Sequence, residues 1–310
     1  MQTDEMKKFQ SLSSEHLWLS LVGLFISLLV NTGAIAQLAV SAGVEPNAAA
    51  LLEKHAALMA QLVQNAYRRP LFLESTESPN KVSGSAYAVL DSPLSTVSTA
   101  FKSPRRWCEV LILHLNTKYC HADTDTSPST LKVDIGKKTP QALTDTFALA
   151  FSYRLVSASP TYLAVQLNAD KGPVSTSDYR IELQAVPLPE GKTFMHLRYS
   201  YAYGTAGRFA MQAYLATLGS GKVGFTQTSD GGKSVYVGGM RGTVERNTMR
   251  YYLAIEAYLA SLSQPPAQQF NSRLAYWFDA TEEYPRQLHE VDRSSYIAMK
   301  KDEYQRQKSE

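Results

Sequence analysis

The stretch "RYYLAIEAYLASL", residues 250–262, is apolar, rich in tyrosine and free of any obvious catalytic group. Its reading decides the fold. Val244, Thr248, Tyr251, Ile255, Tyr258 and Leu262 recur at helical spacing on one face, and Met249, Tyr252, Leu253 and Leu259 widen that face. A stripe this wide exceeds what a surface helix needs. The pattern therefore predicts a long, largely buried helix that begins after Gly242 and ends at Pro265-Pro266.

Upstream of this helix the hydrophobic period changes to two. Phe147, Leu149, Phe151, Tyr153 and Leu155 fall on one face of a strand. Leu163, Val165 and Leu167 do the same in the next, and Tyr179, Ile181 and Leu183 in a third. A fourth carries Met195, Leu197, Tyr199, Tyr201 and Tyr203 opposite His196, Arg198 and Ser200. Short turns at Ser159-Pro160, Gly172-Pro173 and Glu190-Gly191 separate them, which predicts an antiparallel meander with one wet face. After it come a helix at 206–218 and a hairpin turning at "SDGG". Before it come an alanine- and leucine-rich helix at 46–66, a short strand in "SGSAYAVLDSP", two short helices broken at Pro104, and a polar, loop-like stretch from Thr117 to Thr130. The tail reads as two polar helices parted near Pro285, with a charged, fraying end.

Lys7 and Lys8, the uncharged 14-residue run Leu17–Val30 and the small-x-small site Ala34-Ile35-Ala36 have the order of a secretory signal. The run is shorter than the ~20 residues a spanning helix needs. The expectation is an exported chain, periplasmic or secreted, cleaved after Ala36. Its parts are then a signal at 1–36, an N-terminal helix and linker at 37–80, a main domain at 81–262 and a polar helical tail at 263–310. The formal net charge of +3 is mild. It does not predict nucleic acid, and it is compatible with peripheral contact at an anionic membrane surface. Cys108 and Cys120 are the only two cysteines, and in an oxidising compartment they are expected to pair. With His114 and His121 they lack the spacing of a metal site. No metal or cofactor is expected.

"YAVLDSPLSTVSTAFKSPRRWCEVL", residues 87–111, is a strand ending at a proline, then two short helices, the second carrying Trp107. "RGTVERNTMRYYLAIEAYLASL", residues 241–262, is the long helix after the strands. That order, over roughly Ser83 to Leu262, resembles the START/Bet v 1-like (SRPBCC, helix-grip) superfamily, and the chain is similar to an exported, bacterial-type member of it. The resemblance implies an α+β helix-grip fold: a curved antiparallel sheet wrapped around a long C-terminal helix, with extra helices at both ends and an apolar cavity between sheet and helix. It implies a binding or carrier protein for a hydrophobic small molecule or lipid. A cyclase- or hydrolase-type enzyme on the same fold, and a structural module with a filled core, are the alternatives.

No catalytic pair can be named. "VGGMRG" and "SDGGK" match neither a phosphate loop nor a dinucleotide fingerprint, and no two carboxylates are paired for acid–base work. Tyrosine combines apolar area with a hydroxyl that needs a partner when buried. Tyr153, Tyr199, Tyr201, Tyr251 and Tyr258, with Leu183, Leu197, Ile255 and His114, are therefore the candidates to line the cavity. Arg246 and Arg250 are the candidates for an anionic headgroup, and 206–218 the candidate gate.

Overall fold

Alternation of apolar and polar residues builds one eight-stranded antiparallel sheet. The computed structural model describes residues 46–205, 207–209 and 221–309. The expected signal and most of the expected helix at 206–218 lie outside them. Helix α1 spans Pro46–Val63 and is followed by the hairpin β1 (Leu71–Ser78) and β2 (Lys81–Leu90). Helices α2 (Leu94–Phe101) and α3 (Pro104–Leu111) come next, then β3 (Thr117–Asp123) and β4 (Thr130–Ile135). The meander is β5 (Phe147–Ala158), β6 (Leu163–Lys171), β7 (Thr176–Leu188) and β8 (Lys192–Tyr203). A separate hairpin, β9 (Gln227–Asp230) and β10 (Lys233–Tyr236), leads to the long helix α4 (Gly239–Ser261). The chain ends in α5 (Pro266–Glu282), α6 (Pro285–Leu288) and α7 (Arg293–Ser309).

The strand order is β1-β2-β8-β7-β6-β5-β4-β3. Helix α4 crosses one face, packed on β1, β2 and β8, while α2 and α3 close the far end of that face. Gly84 on β2 lets the helix come close. A Cβ there would lie 2.4 Å from Thr248 Oγ1 and 3.3 Å from the Val244 carbonyl oxygen. A disulfide between Cys108 and Cys120 ties α3 to the edge strand β3, as expected from the sequence.

The structure corrects several readings. The segment 71–78, taken as linker, is a strand, and the loop expected at 117–130 holds β3 and the start of β4. Neither shows clean alternation. In β3 four successive residues, Thr117 to Cys120, are buried because α3 and α7 cover the strand from outside the sheet pattern. Phe147 and Leu155 are exposed rather than inward. Phe147 is the first residue of its strand, and a bulge between Leu155 and Ser157 breaks the alternation. The face expected to be wet is partly covered, because Leu51, Leu58 and Leu62 of α1 pack on Tyr87, Tyr162, Val186 and Phe194. His196 stacks on Tyr87 at 4.2 Å and bonds to Ser85 Oγ at 3.1 Å. Burial, then the charges of Arg198 and Lys54, brings its pKa down to about 4.

The tail is neither polar throughout nor frayed. Tyr296 of α7 stacks on Trp277 of α5 at 4.9 Å and donates to the Leu113 carbonyl at 3.0 Å. Lys300 Nζ donates to the carbonyls of His114 and Thr117 and to Glu303, each at 2.7 Å. Lys118 Nζ reaches the other Glu303 oxygen at 3.0 Å. These charges are fully buried, a situation tolerated only with such partners.

Candidate binding cavity

The inner face of the sheet and helix α4 do not meet everywhere. Between them is a cavity of ≈ 330 Å³. Its floor is His114, Asn116 and Thr117 from the connection between α3 and β3. One wall is Tyr179 of β7 with Tyr199 and Tyr201 of β8. Its roof is Thr243, Asn247 and Tyr251, four residues apart and so on one face of α4. Ile135, Pro173, Val174, Thr176 and Gly207 complete the lining.

The strand period aims alternate residues of β8 inward and thus delivers Tyr199 and Tyr201 to the same wall. The β6–β7 turn shapes the rim. Gly172 has no side chain, which leaves room for the Tyr179 ring, whose nearest atom would lie 2.3 Å from a Cβ there. Tyr179 and Tyr201 stack at 5.3 Å, Tyr199 meets the edge of Tyr251 at 5.2 Å, and Tyr251 stacks on His114 at 5.0 Å. The Tyr179 hydroxyl donates to Thr176 at 2.8 Å. The hydroxyls of Tyr199, Tyr201 and Tyr251 make no hydrogen bond among the described residues.

His114 is almost fully buried. Its Nδ1 accepts the Asn116 backbone N–H at 3.1 Å, so the ring proton sits on Nε2. Nε2 has no partner. Burial, then the charges of Arg250, Lys300 and Lys138, holds its pKa well below the ordinary imidazole value. Burial likewise pushes Tyr199, Tyr201 and Tyr251 above the usual phenol range. Each of these groups is neutral at pH 7. No carboxylate lines the cavity among the described residues.

A strand, two short helices, six further antiparallel strands and a long helix over the inner face of the sheet, with a hollow beneath it, are now all in view. The fold is START/Bet v 1-like. No family model and no curated protein matches the chain. Solved structures similar to this helix-grip chain include human StAR-related lipid transfer protein 5, at 10% identity and a TM-score of 0.36 over 70% of this chain and 98% of that one. A conserved protein from Geobacillus kaustophilus is 12% identical, with a TM-score of 0.35 over 57% and 95%. Norcoclaurine synthase from Thalictrum flavum is 11% identical, with a TM-score of 0.31 over 48% and 82%. Likenesses of this size say nothing of ligand or chemistry.

The helix-grip cavity brings together four of the sequence candidates: His114, Tyr199, Tyr201 and Tyr251. Five others lie elsewhere. Leu183, Leu197 and Ile255 are buried in the solid part of the core. Tyr153 donates to the Phe101 carbonyl at 3.2 Å, and Tyr258 accepts from Arg106 at 3.0 Å under the Arg273 guanidinium. The headgroup candidates are also buried. Arg246 donates to the Val223 carbonyl at 3.2 Å and to Thr243 at 3.1 Å. Arg250 pairs with Glu290 at 2.8 Å and donates to the Leu288 carbonyl at 3.3 Å. Neither guanidinium group is part of the cavity lining. Asn116, Thr117 and Thr243 are not marked by the sequence, whereas Asn247 stands in it beside the headgroup candidate Arg246. Thr243 and Asn247 share the Tyr251 face, eight and four residues before it, and that spacing is the signal available. Among the described residues no cluster of three His, Cys, Asp or Glu is placed to hold a metal.

Proposed function

We propose that this chain is a binding or carrier protein for a small, mostly apolar, uncharged molecule held between the sheet and α4. One observation carries the reading: a hollow of ≈ 330 Å³ walled by aromatic rings, whose hydrogen-bonding groups are all neutral. Ligand pockets commonly run from roughly 300 to 1,000 Å³. The size favours a compact ring system or a short chain over a two-tailed lipid. Removing its apolar surface from water supplies about 25 cal/mol per Å², from which ordering costs are subtracted. A cyclase or hydrolase would call for an acid–base pair facing the substrate; no carboxylate lines the cavity among the described residues to partner His114, so binding is the preferred reading.

The chain is read as exported. The disulfide supports this, since such bonds persist in oxidising compartments. A membrane is the place where a greasy ligand would be collected. Val174, exposed on the cavity rim, and Phe209, exposed two residues past the lining Gly207, give the mouth an apolar lip for that contact.

The test is native mass spectrometry of protein from an exporting host, followed by organic extraction. A stoichiometric bound compound is expected, and Asn247→Trp, which fills the hollow, should lose it. A clean apo mass with no uptake of compact, uncharged fluorescent ring probes would overturn the reading.

A further inference from the structure

Of the side chains that line the cavity, His114 alone has a fully buried polar atom with no hydrogen-bond partner among the described residues. The hydrogen bond at Nδ1 fixes the tautomer, so Nε2 is a donor and only a donor. The residue is 3% exposed and Nε2 has no partner. A buried donor left without an acceptor is costly, so such groups are rare without a reason. Asn247 stands beside the ring and acts on it as a weak hydrogen-bonding neighbour that raises its pKa, but its side-chain oxygen accepts from Arg250 at 3.4 Å and lies outside normal hydrogen-bond geometry to Nε2.

The donor is also held in place. Asn116, which sets the tautomer, donates its side chain to the Gly136 carbonyl at 2.6 Å. Tyr296 and Lys300 grip the carbonyls of Leu113, His114 and Thr117 from behind. The imidazole lies at 30° to the ring of Tyr251, and Tyr199 and Tyr201 face it across the hollow. The imidazole thus sits on a rigid mount at the floor of a space walled by flat aromatic surfaces.

We propose that His114 is the specificity-determining residue of the cavity, and that the ligand it selects is a planar ring compound bearing a carbonyl or phenolic oxygen. The oxygen accepts from Nε2 while the ring packs against the tyrosines. This inference rests on the binding reading above and adds to it a chemical class. A saturated hydrocarbon chain of the same volume would leave the donor buried and unpaired, and is selected against.

The test compares fluorene with 9-fluorenone, which share a ring skeleton and differ by one carbonyl, on the wild-type protein and on His114→Phe. Fluorene is the more hydrophobic, so burial alone favours it. The expected result is that wild type binds the ketone at least about fivefold tighter. The bound carbonyl stretch should shift to lower frequency. In His114→Phe the two probes should bind within about twofold and the shift should vanish. Equal binding of both probes to wild type would overturn the inference and leave the binding reading intact. Binding of neither would overturn both. Should His114→Phe fail to fold, the wild-type ratio and the carbonyl stretch decide alone.

Discussion

The inner face of the sheet has two ends, and tyrosines stand at both. At the α2–α3 end, Tyr153 donates to the Phe101 carbonyl and Tyr258 is held by Arg106 and covered by Arg273. Trp107 fills the space between and donates to the same carbonyl at 3.0 Å. At the cavity end, Tyr199, Tyr201 and Tyr251 surround an open volume and their hydroxyls make no hydrogen bond among the described residues. The same residue type is used once to complete a core and once to line a hollow. What separates the two uses is whether a neighbouring element supplies the hydroxyl with a hydrogen-bond partner. The short helices do so at one end, and nothing among the described residues does so at the other.

The contrast can be broken most forcefully at the filled end. Trp107→Ala should cost about 3–5 kcal/mol, since it removes a fully buried ring that the packed surroundings cannot replace. Urea unfolding measures it. A loss below about 1 kcal/mol would mean that this end is as loosely packed as the other.

The second test uses the histidines, one in the hollow and one under α1. His114 and His196 both have folded pKa values below their unfolded value of 6.5. Below pH 6.5 the unfolded chain binds protons that the folded chain refuses. Stability is therefore full above pH 6.5 and falls with acid, by about 1.4 kcal/mol per pH unit for each histidine. For His196 the window closes at about 4. Replacing either residue by Phe should flatten the slope of unfolding free energy between pH 6.5 and 5 by one proton. An unchanged slope in His114→Phe would sink the claim that the cavity floor is held neutral by burial, and one in His196→Phe the same claim for the face under α1.

The smallest expected effect is the sharpest comparison. Tyr153→Phe removes a buried hydrogen bond and should cost about 1 kcal/mol. Tyr199→Phe removes a hydroxyl with no hydrogen-bond partner among the described residues and should change stability by less than about 0.5 kcal/mol. Matching thermal shifts for the two would erase the distinction between filled and hollow ends.

Much of this architecture can be read from residue patterns. The meander is legible because Leu163 to Leu167, Tyr179 to Leu183 and Met195 to Tyr203 alternate, and alternation follows directly from the strand repeat. Helix α4 is legible because its stripe is wide. Strand β3 is not, since "TKYCHAD" buries Lys118 beside Cys120, and a lysine is ordinarily read as exposed. Its burial depends on Glu303, 185 residues away. For the same reason "KKDEYQRQKSE" reads as solvated. The cavity itself is half legible. Periodicity puts Tyr153 and Tyr199 on the same inner face, but no local pattern says which of them finds Phe101 waiting. His114 was visible only as a polar residue after an apolar run.

One feature has a bearing on how the protein is made. The carbonyls of Leu113, His114 and Thr117 are secured by Tyr296 and Lys300, partners 183 to 186 positions further along the chain. Translation runs from the N-terminus at roughly 5–20 residues per second. At that pace the residues that brace His114 leave the ribosome roughly 10–40 seconds after it does. The scaffold of strands can assemble in that interval, but the braced floor of the cavity waits for the last helix.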